Sequence, residues 1–252
     1  MKSRRIDEMT RYINEHGFVG MEELQTAFGV SINTVRRDVA EMVSAGLAQK
    51  VYGGVRSHAP SLLPYEVRSY DGSHQKPLIG RRAAELVEDG DIIFIDSGTT
   101  TLWMMEALKE KKGITILTNN IEIVIRAMDD PGIRLIVLPG ELNRKTHSLI
   151  GDETVSVLKR FNIHKAFMAA TGVSESGVTN SSPQEYEIKR TAVERSSQTC
   201  LMVTGDKFGV TSLLTYASLR DIQTVITDHT IPEAYRTLLD SQGIRCIEAD
   251  TE

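Results

Sequence analysis

The chain has few of the residues that staple, anchor or metallate a protein. Its 252 residues include two cysteines, Cys200 and Cys246, too few for a disulfide framework. Both lie in apolar runs, where a free thiol packs as a small hydrophobe. No apolar run approaches the roughly 18 residues that suggest a membrane span. The opening MKSRRIDEMT lacks the apolar core of a secretory signal, and these features together read as a cytoplasmic protein. The histidines at 16, 58, 74, 147, 164 and 229 show no metal-ligand spacing; no metal and no cofactor are expected. There is no GK[ST] phosphate loop, nucleophile elbow or Ser-His-Asp arrangement. Excess positive charge is lacking too: the net charge is −5. Residues 1–58 hold 8 Lys+Arg against 7 Asp+Glu, and the remainder 21 against 27. A nucleic-acid partner must therefore be sought in where the arginines sit, not in the sum.

What is present divides in two. The length suits one small and one medium domain, and 40% hydrophobic content supplies ordinary cores. Residues 3–16 read as a helix with Ile6, Met9 and Ile13 inside and Arg4, Arg5 and Arg11 outside. Gly17 ends it, and Phe18-Val19 is expected to pack on the next helix. In residues 21–55, Met21, Leu24 and Phe28 fall on one face of a short helix. Gly29-Val30 breaks it, and Ser31 suits the N-cap of another. Val35, Val39, Met42 and Val43 form the apolar face of that second helix, while Asn33, Arg36 and Arg37 share a different face. Gly46 suits its C-terminal stop. Two short helices joined by a tight turn, with exposed Asn and Arg on the second, read as a helix-turn-helix with a recognition helix. A short β-like run at 47–51, a turn at Tyr52-Gly53-Gly54 and a return strand at Val55-Arg56 read as a wing, whose Lys50 and Arg56 suit phosphates.

The stretch SINTVRRDVAEMVSAGLAQKVYGGV resembles the amino-terminal signature of DeoR-type bacterial transcriptional regulators, carried by Ser31, Thr34, Val35, Arg36, Arg37, Asp38 and the wing glycines Gly53 and Gly54. The resemblance implies that Asn33, Thr34, Arg36 and Arg37 contact bases and phosphates of double-stranded operator DNA. Ser31, Lys50 and Tyr52 then contact its backbone. With so little net positive charge in the module, affinity is expected to depend on a homo-oligomer, a dimer or tetramer.

Residues 59–75, with Pro60, Pro64 and no helical period, read as a linker. From Lys76 to the end, helices alternate with strands. Helices are expected at 77–88, 99–109, 121–128, 151–160, 184–196 and from Pro232. Strands are expected at 91–95, 114–117, 133–138, 166–170, 200–203, 224–227 and 244–247. That alternation makes the fold class α/β: a winged helix-turn-helix domain (1–58), then an open, mostly parallel sheet domain (76–252) covered on both faces. Such sheets bind ligands beyond the carboxyl ends of their strands. There the chain places Asp96-Ser97-Gly98-Thr99-Thr100-Thr101, Thr118-Asn119-Asn120, Pro139-Gly140, Thr171-Gly172 and Gly205-Asp206-Lys207. Ser97 to Thr100 at a helix start suit a phosphate; a plain N-cap turn has the same composition. Taken together, these polar loops point to a pocket.

The same loops resemble the DeoR effector domain, through DSGTT, TNN, AFMAATGVSESGVT, EYEIKR, DKFG and VITD. That domain is similar in fold to ribose-5-phosphate isomerase and coenzyme A transferases. The resemblance implies a phosphorylated sugar or sugar-derived effector. Ser97, Gly98, Thr99 and Thr100 would lie at its phosphate, and Asp96, Asn119, Glu185 and Lys207 at the polar end of the pocket. Departures from the family pattern are Pro139-Gly140 in place of two glycines, Thr204 in place of an Asp, and His164 where an Asp often stands. Glu185 and Lys189 have the i,i+4 spacing of a surface pair, and Lys189 is read that way. The expectation is a transcriptional repressor of a carbohydrate-utilisation operon, not an enzyme, released from its operator by the effector. A phosphosugar isomerase-like enzyme and an activator with the same effector are the alternatives.

Overall fold

The computed structural model describes residues 2–45, 47–57, 65–70 and 74–249. Gly46 and most of the expected linker lie outside them. The chain divides into two compact units, residues 1–71 and 72–252.

The first unit contains α1 (Lys2–His16), β1 (Phe18–Gly20), α2 (Met21–Phe28), α3 (Ile32–Ser44), β2 (Ala48–Val51), β3 (Gly54–Ser57) and α4 (Tyr65–Tyr70). Ile6, Met9 and Ile13 of α1 meet Leu24 of α2 and Val35, Val39 and Met42 of α3 in one buried cluster. Val43, expected on that face, is instead exposed, one residue before the end of α3. Phe18-Val19, expected only to pack, forms a third strand, so the wing sheet runs β1-β3-β2 and is antiparallel. The two wing glycines have separate reasons. Gly53 takes φ 75° in the turn, whereas a Cβ at Gly54 would lie 2.3 Å from the Val19 carbonyl oxygen. α4 falls inside the stretch read as a linker. Its Tyr65 is buried.

The second unit continues with α5 (Gln75–Glu85), β4 (Ile92–Ile95), a 3-10 turn (Thr101–Met104), α6 (Met105–Leu108), β5 (Thr115–Thr118), α7 (Ile121–Ala127), β6 (Arg134–Val137), β7 (Glu141–Asn143), β8 (Ser148–Ile150) and α8 (Asp152–Leu158). It then adds β9 (Ile163–Ala169), β10 (Gly172–Ser174), β11 (Gly177–Asn180), α9 (Pro183–Glu194), β12 (Ser196–Met202), β13 (Leu214–Ala217), β14 (Thr224–Thr227), α10 (Glu233–Ser241) and β15 (Arg245–Glu248). Seven strands form a parallel sheet in the order β15-β14-β12-β9-β4-β5-β6. The central strands read as near-continuous apolar runs because both faces are covered; Ile93, Phe94, Ile95, Phe167, Met168 and Leu201 are all fully buried.

Two antiparallel additions were not expected. One is the hairpin β7–β8. The other is a small sheet, β10-β11-β13. The single helix expected at 99–109 is replaced by the 3-10 turn and α6. The Thr101 hydroxyl donates to the carbonyls of Asp96 (2.7 Å) and Gly98 (2.9 Å), a side-chain alternative to regular helix initiation.

Candidate functional site

On the first unit, α3 is fixed by its buried face and by its cap, where Thr34 N donates to Ser31 Oγ at 3.2 Å. That fixing leaves Asn33, Arg36 and Arg37 exposed on the opposite side. Thr34 is half-buried, its hydroxyl 2.9 Å from Ser31 Oγ. Lys50 is exposed on β2, and Tyr52 is 63% exposed at the wing turn. Arg56, a candidate phosphate contact, spends its guanidinium on Gln49 (Nε to Oε1, 2.7 Å).

One residue of the motif has a role that the sequence reading missed. Asp38 is fully buried and accepts from Arg5 Nε at 2.7 Å, so Arg5 is not simply outside. The contact ties α1 to the recognition helix. The second carboxylate oxygen of Asp38 has no hydrogen-bond partner among the described residues.

On the second unit, a buried polar cluster lies at the carboxyl ends of β4 and β5. Asp96 follows β4 and is 1% exposed. Its Oδ2 receives Ala169 N at 2.9 Å and forms an ion pair with Lys189 Nζ. Lys189 is therefore not a surface residue: the i,i+4 spacing with Glu185 places both on the inward face of α9, each buried. Glu185 Oε1 accepts from the hydroxyls of Ser97 and Ser148, the latter at 2.9 Å. Ser148 comes from the unexpected hairpin, which folds over the cluster; Asn119 Nδ2 donates to Leu149 O at 3.0 Å.

Asn119 Oδ1 is buried with no partner among the described residues, an acceptor available to a ligand hydroxyl. Gly98 admits no side chain, since a Cβ there would sit 2.2 Å from Ala169 Cβ. The tight seat brings the backbone of 97–100 onto β9. Thr99 and Thr100 are buried, and Lys76 Nζ of α5 donates to Thr99 Oγ1 at 3.1 Å. Lys76 carried no motif signal, because nothing in a helix of QKPLIGRRAAE marks one lysine as inward.

Tyr216 of β13 closes the cluster from below, its hydroxyl donating to Ala169 O at 3.0 Å and its ring centroid 5.4 Å from Lys189 Nζ. Burial, and secondarily the Asp96 carboxylate, holds the Tyr216 phenol well above its ordinary pKa. Asp96, Ser97, Thr99, Glu185 and Asn119 are thus brought together with Lys76, Ser148 and Lys189. Lys207 lies on the loop after β12, where its Nζ pairs with Asp206 at 2.6 Å. Thr204, one of the family departures, is buried there with its hydroxyl on Asp206.

An open groove of about 500 Å³ lies at the other, amino end of β12, lined in part by Tyr186, Arg190, Ser197 and Arg220. The buried charges are at the carboxyl end, so the chemistry points there. Among the described residues no group of three or more His, Cys, Asp or Glu side chains could hold a metal ion, and no helix is long and apolar enough to cross a membrane.

A capped helix presenting Asn and Arg beside a wing, followed by a parallel sheet with a polar buried site, defines a helix-turn-helix transcriptional regulator. Residues 5–60 match the DeoR-like helix-turn-helix domain, and residues 72–229 match the DeoR C terminal sensor domain. The chain belongs to the DeoR family.

It is 40% identical over 237 residues to the HTH-type transcriptional regulator IolR of Bacillus subtilis (strain 168), covering 93% of this chain and 94% of that one. It is 30% identical over 235 residues to a lactose phosphotransferase system repressor of Staphylococcus epidermidis, covering 90% and 92%. The HTH-type transcriptional repressor GlcR of Bacillus subtilis is 27% identical over 259 residues, covering 100% and 98%. Among solved structures, ribose 5-phosphate isomerase A from Methanocaldococcus jannaschii matches 54% of this chain and 55% of its own, with 18% identity and a TM-score of 0.39.

Proposed function

We propose that this chain is a cytoplasmic, DNA-binding repressor of a carbohydrate-utilisation operon, released from its operator by a phosphorylated sugar or sugar-derived metabolite. In this reading residues 1–58 bind operator DNA, residues 59–75 join the units, and residues 76–252 hold the effector and assemble a homo-oligomer, a dimer or tetramer. The repressor names of two full-length relatives support the direction of control.

The observation that carries the ligand class is the polarity of the buried cluster. One end offers hydroxyls, a tight backbone loop and the Lys76 ammonium, which suits an anion. The other end offers acceptors, Asn119 Oδ1 and the Glu185 carboxylate, which suit the donating hydroxyls of a polyol. A ligand with a phosphate at one end and hydroxyls along its length satisfies both. The ligand controls DNA binding only if it prefers one arrangement of the protein over another.

The test is thermal stability of the full chain against glucose 6-phosphate, fructose 1-phosphate, ribose 5-phosphate and their unphosphorylated parents. A matching ligand at 100-fold over its Kd should raise Tm by roughly 5–10 °C. Loss of the phosphate, or Thr99→Asp, should abolish the shift by removing the anion or opposing it with like charge. Equal stabilisation by an unphosphorylated parent, or none by any compound, overturns the reading.

A further inference from the structure

α7 is apolar almost all round. Its sequence, IEIVIRA, runs on into Met128 at the C-cap. Its two charged side chains are occupied within the unit: Glu122 binds His147 Nδ1 at 2.8 Å, and the Arg126 guanidinium lies 5.4 Å from the centroid of the Trp103 ring. A helix apolar on every side is normally buried on every side. Here Ile123 and Ala127 are buried, but Ile125 is 56% and Met128 73% exposed. Arg126 on Trp103 marks the flank of α7 that faces the middle of the sheet. At about 100° per residue, Ile121, Val124 and Met128 fall on the opposite flank, at the sheet's edge, with Ile125 beside them.

That edge is β6, the last strand of the seven. Arg134 N and Leu138 N donate inward, to Ile114 O and Thr118 O, so by alternation the amides of Leu135 and Val137 point away from the sheet. Ile136 packs into the core on the α8 and α9 side, which puts Leu135 and Val137 on the α7 side. Val137 is 41% exposed. An edge strand with no proline, lysine or bulge is a template for another strand. The opposite edge differs: Glu248 of β15 is paired with Arg236 of α10.

The two ends of α7 carry opposite charge. Asp129 and Asp130 follow its C-terminus. At its N-terminus sits the turn of hairpin β7–β8, held where Ile121 N donates to His147 O at 2.9 Å, with Arg144 and Lys145 exposed on it.

We propose that α7 and the edge of β6 form a two-fold interface with a second copy of this chain. This rests on the reading that residues 76–252 assemble a homo-oligomer, and it names the surface. Two copies of one edge strand related by a two-fold axis pair antiparallel. The two α7 helices above them then run antiparallel too, apolar flank against apolar flank. Asp129 and Asp130 of each copy arrive at the partner's Arg144 and Lys145, so opposite charges meet at both ends. A different partner would need an open strand, an apolar helix flank above it and the inverse charge pattern; a second copy brings all three by symmetry.

The test is sedimentation of the full chain over a dilution series at low salt, where charge contacts are least screened, as wild type, Met128→Glu, Asp129→Lys and Lys145→Asp. Wild type should associate reversibly. Met128→Glu should keep the circular dichroism of wild type, since that side chain is largely in solvent in one copy. It should raise the dissociation constant of this step about a hundredfold or more by burying an unpaired charge. Asp129→Lys and Lys145→Asp should each weaken the step about tenfold by setting like charges together. Mixed in equal amounts, the two should restore it, because both contacts of the mixed pair again join opposite charges. In wild type, backbone hydrogen exchange at residues 133–138 should be slow above the dissociation constant and fast below it.

A wild type that is monomeric throughout overturns the homo-oligomer reading and this inference together. Association that Met128→Glu changes by less than about twofold overturns the interface alone and leaves a homo-oligomer built on another surface. A mixture of the charge variants no tighter than either by itself overturns the antiparallel pairing and the proposal with it. So does exchange at 133–138 that is independent of concentration, a result that needs no variant to fold.

Discussion

Lys189 and Asp96 meet as a buried ion pair although 93 residues separate them along the chain. The pair fixes α9 against the end of β4 and so sets the distance between Glu185 and Ser97. Burying two charges is costly, and further hydrogen bonds to both partners offset part of that cost. Asp96 Oδ2 also takes Ala169 N, and Lys189 also donates to Ala169 O. Lys189→Met should therefore leave Asp96 uncompensated and cost about 3–5 kcal/mol. The loss should appear as a lower denaturant midpoint at unchanged m. The double variant Asp96→Asn/Lys189→Met should lose clearly less than the two single losses added together. Strict additivity would show that the two side chains do not act as a pair.

A second charged contact gives a pH signature. Asp91, just before β4, receives Lys165 Nζ at 2.6 Å, Glu88 N at 2.9 Å and His164 Nδ1 at 3.0 Å. Burial alone would raise its pKa, but the hydrogen bonds from Lys165, the Glu88 amide and His164 together outweigh it, and the carboxyl is held below its ordinary value. A carboxyl lowered in the folded state contributes stability above its unfolded pKa of about 3.9, and that stability is lost as pH falls through the folded value. Lys165→Met should lower stability at pH 7. The gap from wild type should close as pH drops below about 4, where wild type loses the same contribution. Denaturant melts from pH 7 down to about 3 check this; a gap that is constant with pH would assign the loss to packing.

Much of the fold is legible in the sequence because strands buried on both faces read as apolar runs. Runs such as DIIFI and TVIT, flanked by turn residues, locate β4 and β14 closely. The hairpin β7–β8 and the strands β10, β11 and β13 are as short but carry polar and glycine residues, as in ELN and GVTN, so no apolar run marks them. Yet hairpin β7–β8 supplies Ser148 to the cluster, so a pocket wall was missed with it. Lys189 was misjudged for another reason. A Glu and a Lys at i,i+4 look alike on an outer and an inner helix face, and only the distant Asp96 decides between them. The recognition helix shows the opposite case: its apolar side and its Asn and Arg side are both encoded within thirteen residues, so local pattern suffices.

The two thiols should report burial directly. Cys200 is buried in β12, and desolvation pushes its pKa up to about 11. Cys246 is exposed on the edge strand β15, although burial raises its pKa also. The thiolate is the reactive form, so access decides the order. Iodoacetamide at pH 8 should label Cys246 slowly and leave Cys200 untouched until denaturant is added. Mass spectrometry of native and unfolded samples distinguishes one adduct from two. Prompt native labelling of Cys200 would mean that β12 opens far more readily than its central place in the sheet implies.

The recognition helix yields the last test. Arg36 is exposed on α3, opposite the buried Val35, Val39 and Met42, and it shares its face with Asn33 and Arg37. Truncation removes no core contact, so Arg36→Ala should leave the thermal midpoint of the full chain unchanged within about 1 °C, as surface substitutions usually do. A bidentate arginine contact to a base is worth about 1–3 kcal/mol per half-site. Specific affinity for a selected duplex should fall accordingly, while binding to random-sequence DNA changes little. Lys50→Ala should behave differently. As a phosphate contact on the wing, it should weaken specific and random DNA alike and reduce the salt slope by about one ion. Fluorescence anisotropy across a salt series separates the two patterns. If Arg36→Ala instead weakens specific and random binding equally, Arg36 holds phosphate and sequence is read elsewhere on α3, with Asn33 and Arg37 the next residues to change.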